Sequence, residues 1–103
     1  MAEAMKIRAD LTGSTARVKC LMSHPMETGL RKDQSGQVIP AHYVTQVSAT
    51  LNGVPVMDGQ VGPGISRNPY LVFWIQGTKP GDKIMVSWID NTGETNSAET
   101  MIV

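Results

Sequence analysis

Apolar residues recur at every second position along most of this chain, and nowhere do they recur for long at spacings of three and four. That is the signature of strands with one face in a core. Ile7, Ala9 and Leu11 alternate with Lys6, Arg8 and Asp10, and Thr12-Gly13-Ser14 supplies the turn into a second run. There Ala16, Val18, Cys20 and Met22 share one face, with Arg17 and Lys19 on the other. The phase predicts that Cys20 is a small core hydrophobe. Alternation stops between Ser23 and Pro40, a stretch holding His24, Pro25, Gly29, Gly36 and Pro40 among Glu27, Arg31, Lys32 and Asp33. At about 18 residues it exceeds the roughly 12–15 beyond which a structureless loop in a compact domain is usually functional. A hairpin-like excursion is expected there.

Alternation resumes with Tyr43, Thr45, Val47, Ala49 and Leu51 on one face, and Asn52-Gly53 predicts a type I′ turn into a short strand over Val54–Met57. Asp58-Gly59-Gln60 and Val61-Gly62-Pro63-Gly64-Ile65 read as irregular edge or crossover. Tyr70 to Ile75 is a dense strand with Tyr70, Val72 and Trp74 on one face and Leu71, Phe73 and Ile75 on the other. Such two-sided apolarity predicts a central position, or a second face covered by a partner. Gly77 to Asp82 then turns the chain into Ile84, Val86 and Trp88, alternating with Met85, Ser87 and Ile89. A hairpin loop over Asp90–Glu94 leads to a last strand carrying Ala98, Thr100 and Ile102. The predicted class is all-β: an immunoglobulin-like antiparallel β-sandwich in one domain, residues 1–103, with a small barrel as second choice.

Composition narrows the function classes. With 103 residues and 41% hydrophobic content one core forms, and 17% charged residues is low for a helical or disordered chain. Nine Lys plus Arg balance nine Asp plus Glu, so the sum offers no field for nucleic acid or an anionic membrane, and neither is expected as a partner. A single cysteine excludes an internal disulfide. Met1 to Asp10 has no apolar stretch of the kind a signal peptide needs, so this chain is not expected to leave the cytoplasm by itself.

Candidate chemistry is sparse. Cys20, His24 and His42 form a loose set of possible metal ligands, against the plainer reading that Cys20 is core, His24 orients its loop and His42 begins a strand. No nucleophile elbow or triad is legible, and Gly62-Pro63-Gly64 lacks the Lys-Ser/Thr of a phosphate loop. What remains is surface. The His24–Arg31 loop and the Tyr70–Ile75 strand hold the Met, Arg, Tyr and Trp types enriched at interfaces, while at least one of Trp74 and Trp88 is expected in the core.

Ser23-His24-Pro25-Met26-Glu27-Thr28-Gly29-Leu30-Arg31 resembles the signature loop of the SoxZ family of the bacterial sulfur-oxidising (Sox) system. Gly36-Gln37-Val38-Ile39-Pro40, Asn52-Gly53, Asn68-Pro69-Tyr70 and Trp88-x-Asp90-x-x-Gly93 resemble the family pattern in the same order, over nearly the whole chain. The resemblance implies a non-catalytic subunit without cofactor that pairs with SoxY, whose C-terminal Gly-Gly-Cys-Gly-Gly-type arm carries sulfur between Sox enzymes. It also implies periplasmic location by export together with the signal-bearing SoxY chain. Partner-interface or recognition roles are expected for His24, Pro25, Met26, Glu27, Arg31, Asn68, Tyr70 and Trp74. Transient contacts with other Sox enzymes, and self-association of the isolated chain through an uncovered edge, belong to the same picture. Two alternatives stand beside it: a metal-binding redox domain on Cys20, His24 and His42, and a generic structural sandwich.

Overall fold

The computed structural model describes residues 5–62 and 64–102, so the readings that fall on Met1 to Ala4, Pro63 and Val103 lie outside the described residues. Seven strands follow one another, β1 (Lys6–Thr12), β2 (Thr15–Leu21), β3 (Val44–Leu51), β4 (Val54–Gln60), β5 (Tyr70–Gln76), β6 (Lys83–Asp90) and β7 (Thr95–Met101). They form two antiparallel sheets, in the orders β1-β2-β5 and β4-β3-β6-β7. The two sheets enclose one core, which is the all-β sandwich that the alternation predicts.

That core is built by the inward phase of each strand: Ala9 from β1, Ala16, Val18 and Cys20 from β2, Val47 and Ala49 from β3, and Ile84, Val86 and Trp88 from β6. Of the two tryptophans, Trp88 is 2% exposed and Trp74 is 63% exposed. Asn52 and Gly53 both take positive φ, 52° and 84°, as a type I′ turn requires.

Three strand expectations are corrected. β4 does not end at Met57 but runs to Gln60, because a bulge between Ala49 and Thr50 absorbs one residue and pairing resumes at Ala49↔Met57, Ser48↔Asp58 and Val47↔Gly59. In β3 the phase slips at its start: the register shifts between Val44 and Gln46 against β6, so Val44 fills the core where the alternation predicts Thr45. Third, β5 is not central. Among the described residues it pairs with β2 alone and closes its sheet as an edge, its inner residues Leu71, Phe73 and Ile75 against the core and its outer residues Tyr70 and Trp74 in solvent. Of the two expectations for its two-sided apolarity, only the central position is overturned, and in this chain the outer face lies open.

Candidate functional site

The excursion between β2 and β3 is not structureless. Isolated antiparallel bridges at Glu27↔His42 and Lys32↔Val38 fold residues 27–42 back on themselves as a distorted hairpin. Gly29 sits at φ 86°, and a Cβ there would lie 3.1 Å from the Ala41 Cβ, so the two arms approach as closely as glycine permits.

His24 ties this hairpin to the sandwich. Its backbone N–H donates to the Asn68 Oδ1 at 3.0 Å, and the Asn68 N–H donates back to the His24 carbonyl at 2.9 Å. Asn68 adopts φ 53°, a left-handed conformation that asparagine tolerates better than most residues. The His24 ring is 1% exposed and lies edge-on to Trp88, with ring centroids 5.0 Å apart. Its Nδ1 receives the Met26 N–H at 3.1 Å. A backbone N–H only donates, so Nδ1 is the acceptor nitrogen and the ring proton sits on Nε2. That Nε2–H is directed at the Asp90 Oδ2, 3.0 Å away.

Asp90, the last residue of β6, is a hub. Its Oδ2 also meets the His42 Nε2 at 2.7 Å, while Oδ1 accepts from the Thr92 N–H, the Thr92 hydroxyl and the Glu94 N–H at 3.0, 2.7 and 2.9 Å. Burial by itself would raise the carboxyl pKa; the hydrogen bonds from Thr92, His24, His42 and Glu94 outweigh it and hold the group far below the usual carboxylate range. Asn91 completes the fastening by accepting the Tyr43 N–H at 2.8 Å and donating to the Ala41 carbonyl at 2.8 Å. Three segments distant in sequence thereby meet: the loop from His24 to His42, the Asn68-Pro69 turn, and the Trp88–Gly93 corner.

His24, His42 and Asp90 are also residue types that hold metals, with ligand atoms within 4.8 Å of one another. The expected ligand set of Cys20, His24 and His42 is not assembled, since Cys20 points into the core between the sheets and Asp90 stands where that set requires a thiolate. A cation would in addition need the Nε2 lone pair of His24, which the Met26 bond denies, so the present donor set fits a hydrogen-bonded strap and not a metal. Both ring nitrogens of His24 are engaged, Nδ1 by the Met26 N–H and Nε2 by Asp90, and the Thr92 hydroxyl is itself bonded to Asp90.

The expected recognition residues divide by burial. His24 and Met26 are buried, and Met26, at φ 50°, turns its sulfur toward the Val44 N–H at 3.4 Å, so both side chains help to hold the loop. Asn68 is a positioning residue for His24. Pro25 and Arg31 are exposed, and Glu27 lies beneath Arg31 in a forked pair with 2.7 Å between Nη2 and Oε1. Arg31 hydrogen-bonded to Glu27 holds that carboxyl below its ordinary value. Tyr70 and Trp74, 62% and 63% exposed, lie on β5, with Tyr70 at the lip of an apolar groove of about 210 Å³ between the edges β4 and β5. Sequence reasoning missed Asp90 and Asn91, whose place in a hairpin-loop motif gave no sign of partners 48 to 66 residues away.

A family model described as "Sulphur oxidation protein SoxZ" matches residues 5–101. Comparison with curated proteins finds no match. Among solved structures, the superoxide reductase (neelaredoxin) of Ignicoccus hospitalis superposes with a TM-score of 0.66 at 14% identity, over 98% of this chain and 80% of that one. A point variant of the same reductase gives 0.64 at 14% identity, over 98% and 79%. A hypothetical protein from Pyrococcus horikoshii OT3 gives 0.63 at 15% identity, over 99% and 89%. At these identities the likeness is one of fold.

Proposed function

This chain belongs to the SoxZ family of sulphur oxidation proteins, and from that premise we propose that it is the non-catalytic half of a sulfur carrier, pairing with a SoxY-like subunit whose cysteine arm bears the sulfur. The observation that carries this reading is the state of its single thiol. Sulfur carriage needs an exposed thiolate on a mobile segment. Cys20 is 0% exposed near the end of β2, paired in the sheet between Ile7 of β1 and Leu71 of β5, and burial pushes its pKa up to about 11. A subunit of the Sox system with such a thiol depends on a partner for the reactive sulfur atom.

The stable partner in this proposal covers the β4–β5 side, where both edges are unpaired among the described residues and the groove lined by Met22, Met57, Val61, Ile65 and Leu71 opens beside Tyr70. The His24–Arg31 loop, fastened from below by the Asp90 strap, offers Pro25 and the Glu27–Arg31 fork to Sox enzymes that visit the carrier. Its working compartment is proposed to be the periplasm, reached by export with SoxY, which fractionation of cells expressing both chains tests.

Co-expression with a SoxY-like chain is the direct experiment, with a one-to-one complex expected by size exclusion with light scattering. Tyr70→Ala is expected to weaken pairing by about 2 kcal/mol, roughly thirtyfold in Kd. Cys20→Ala is expected to leave thiosulfate-dependent turnover intact, whereas removal of the partner's arm cysteine abolishes it. Lack of a complex, or turnover lost with Cys20→Ala in a folded heterodimer, would overturn the proposal.

A further inference from the structure

The outer face of the β1-β2-β5 sheet carries a charge distribution that the neutral total conceals. Register aligns its outward residues in four rows across three strands: Lys6, Leu21 and Tyr70; Arg8, Lys19 and Val72; Asp10, Arg17 and Trp74; Thr12, Thr15 and Gln76. Four of the chain's nine cations stand here with one of its nine carboxylates. Asp10 is shared between Arg17 at 3.7 Å and Lys19 at 3.6 Å, and among the described residues neither Lys6 nor Arg8 forms an ion pair. Trp74 rises beside Arg17 over a shallow hollow of about 430 Å³ bounded by Asp10, Thr12 and Thr15.

We propose that this face is a docking surface for an acidic protein surface, engaged transiently and steered by charge. Its chemistry selects that occupant. Trp, Tyr and Arg are the side chains that carry binding energy at protein interfaces, and the cations around them complement carboxylates. Its size sets the lifetime. With strands about 4.8 Å apart and same-face residues about 6.7 Å apart, the grid with its side chains covers on the order of 400 Å², about half of what one partner buries in a stable complex. The other sheet presents a contrasting outer face, on which Gln46, Ser48, Ser87, Thr95 and Ser97 accompany Met85 and Ile89, and its one strand cation, Lys83, is outnumbered by the carboxylates of Glu99 and Asp58. The basic face shares only Tyr70 with the groove assigned to the stable partner, so its occupant is independent of which protein fills that groove.

The test is a titration of the isotope-labelled full chain with a ten-residue polyglutamate peptide, followed by amide and indole NMR shifts. Shifts are expected at β1, β2, β5 and the Trp74 indole, with affinity falling at least tenfold between 50 and 500 mM NaCl as screening shortens the reach of the charges. Arg8→Glu and, separately, Lys19→Glu are expected to lower affinity severalfold with melting unchanged, and Trp74→Ala to lower it while preserving the salt slope. Shifts on the Ser-rich face or in the β4–β5 groove, or no shift at low salt, would overturn the proposal. So would tighter binding of a ten-residue oligothymidylate, pelleting with phosphatidylserine vesicles, or concentration-dependent shifts on this face that mark a second copy as its occupant.

Discussion

Replacing Asp90 with Asn keeps the shape of the strap and removes its charge, which makes it the sharpest probe of how the SoxZ signature loop is held. The carboxylate accepts from His24, His42, the Thr92 N–H and hydroxyl, and Glu94. An amide places an NH2 on one side. If it faces the histidines, His42 can change tautomer to accept, but His24 cannot, because its Nδ1 is committed to the Met26 N–H. If it is flipped, it meets the donors of Thr92 and Glu94 instead. At least one buried donor therefore faces another donor, at a cost of roughly 1–3 kcal/mol, and the remaining bonds lose the strengthening that a charged acceptor confers. Together about 3–4 kcal/mol should be lost, which for a domain near 100 residues lowers Tm by roughly 15–25 °C. Thermal and urea unfolding at pH 7, with near-ultraviolet circular dichroism reporting the Trp88–His24 contact, measure this directly. A loss below about 1 kcal/mol with an unchanged spectrum would refute the hub role. A rise in wild-type Tm with added Zn²⁺, reversed by chelator, would show instead that the His24 ring turns to free Nε2 and that the cluster is a metal site.

The same carboxylate should shape the acid limb: its folded pKa lies below the unfolded one, so its stabilisation is present above about pH 4 and lost as pH falls further, and Asp90→Asn should flatten that limb in acid unfolding curves. Cys20 works at the other end. Its pKa of about 11, against an ordinary 9.0, means that the native state keeps the proton while the unfolded chain loses it, so stability should drop by up to about 3 kcal/mol between pH 9 and 11, a drop that Cys20→Ala abolishes. The same shift makes the native thiolate about a hundredfold rarer at pH 8, so iodoacetamide should label the folded chain at least that much more slowly than the urea-unfolded one. Gly29→Ala should lose about 1–2 kcal/mol, because φ 86° and the Ala41 Cβ both oppose a side chain; an unchanged Tm would show that the loop arms part readily. Arg31→Ala, at an exposed and screened pair, should leave Tm within about 2 °C while slowing turnover with the visiting Sox enzymes, and a large fall in Tm with turnover per folded molecule intact would make the loop purely architectural.

Strand number, the inward residues outside the start of β3 and the burial of Cys20 were legible because alternation is local: whether a side chain faces in or out is decided two residues at a time. Asn52-Gly53 was readable for the same reason, since a two-residue turn answers only to its own φ angles. The bulges in β3 and β4 escaped that reading, for an extra residue shows itself only against the strand beside it. Strand order escaped it too. The dense apolar run of β5 resembles a buried central strand, yet the topology sets it at an edge with Trp74 in water. The strap lies deepest in this class, since His24, His42 and Asp90 become neighbours only when β2, β3 and β6 pack, and until then a histidine in a loop and an aspartate in a turn have no partner to declare. Charge follows the same division. Its sum over the chain is zero and says nothing of its arrangement, while the alternation in β1 and β2 and their register with β5 gather four cations and two aromatic rings on one face, because pairing converts positions along a line into neighbours across a sheet.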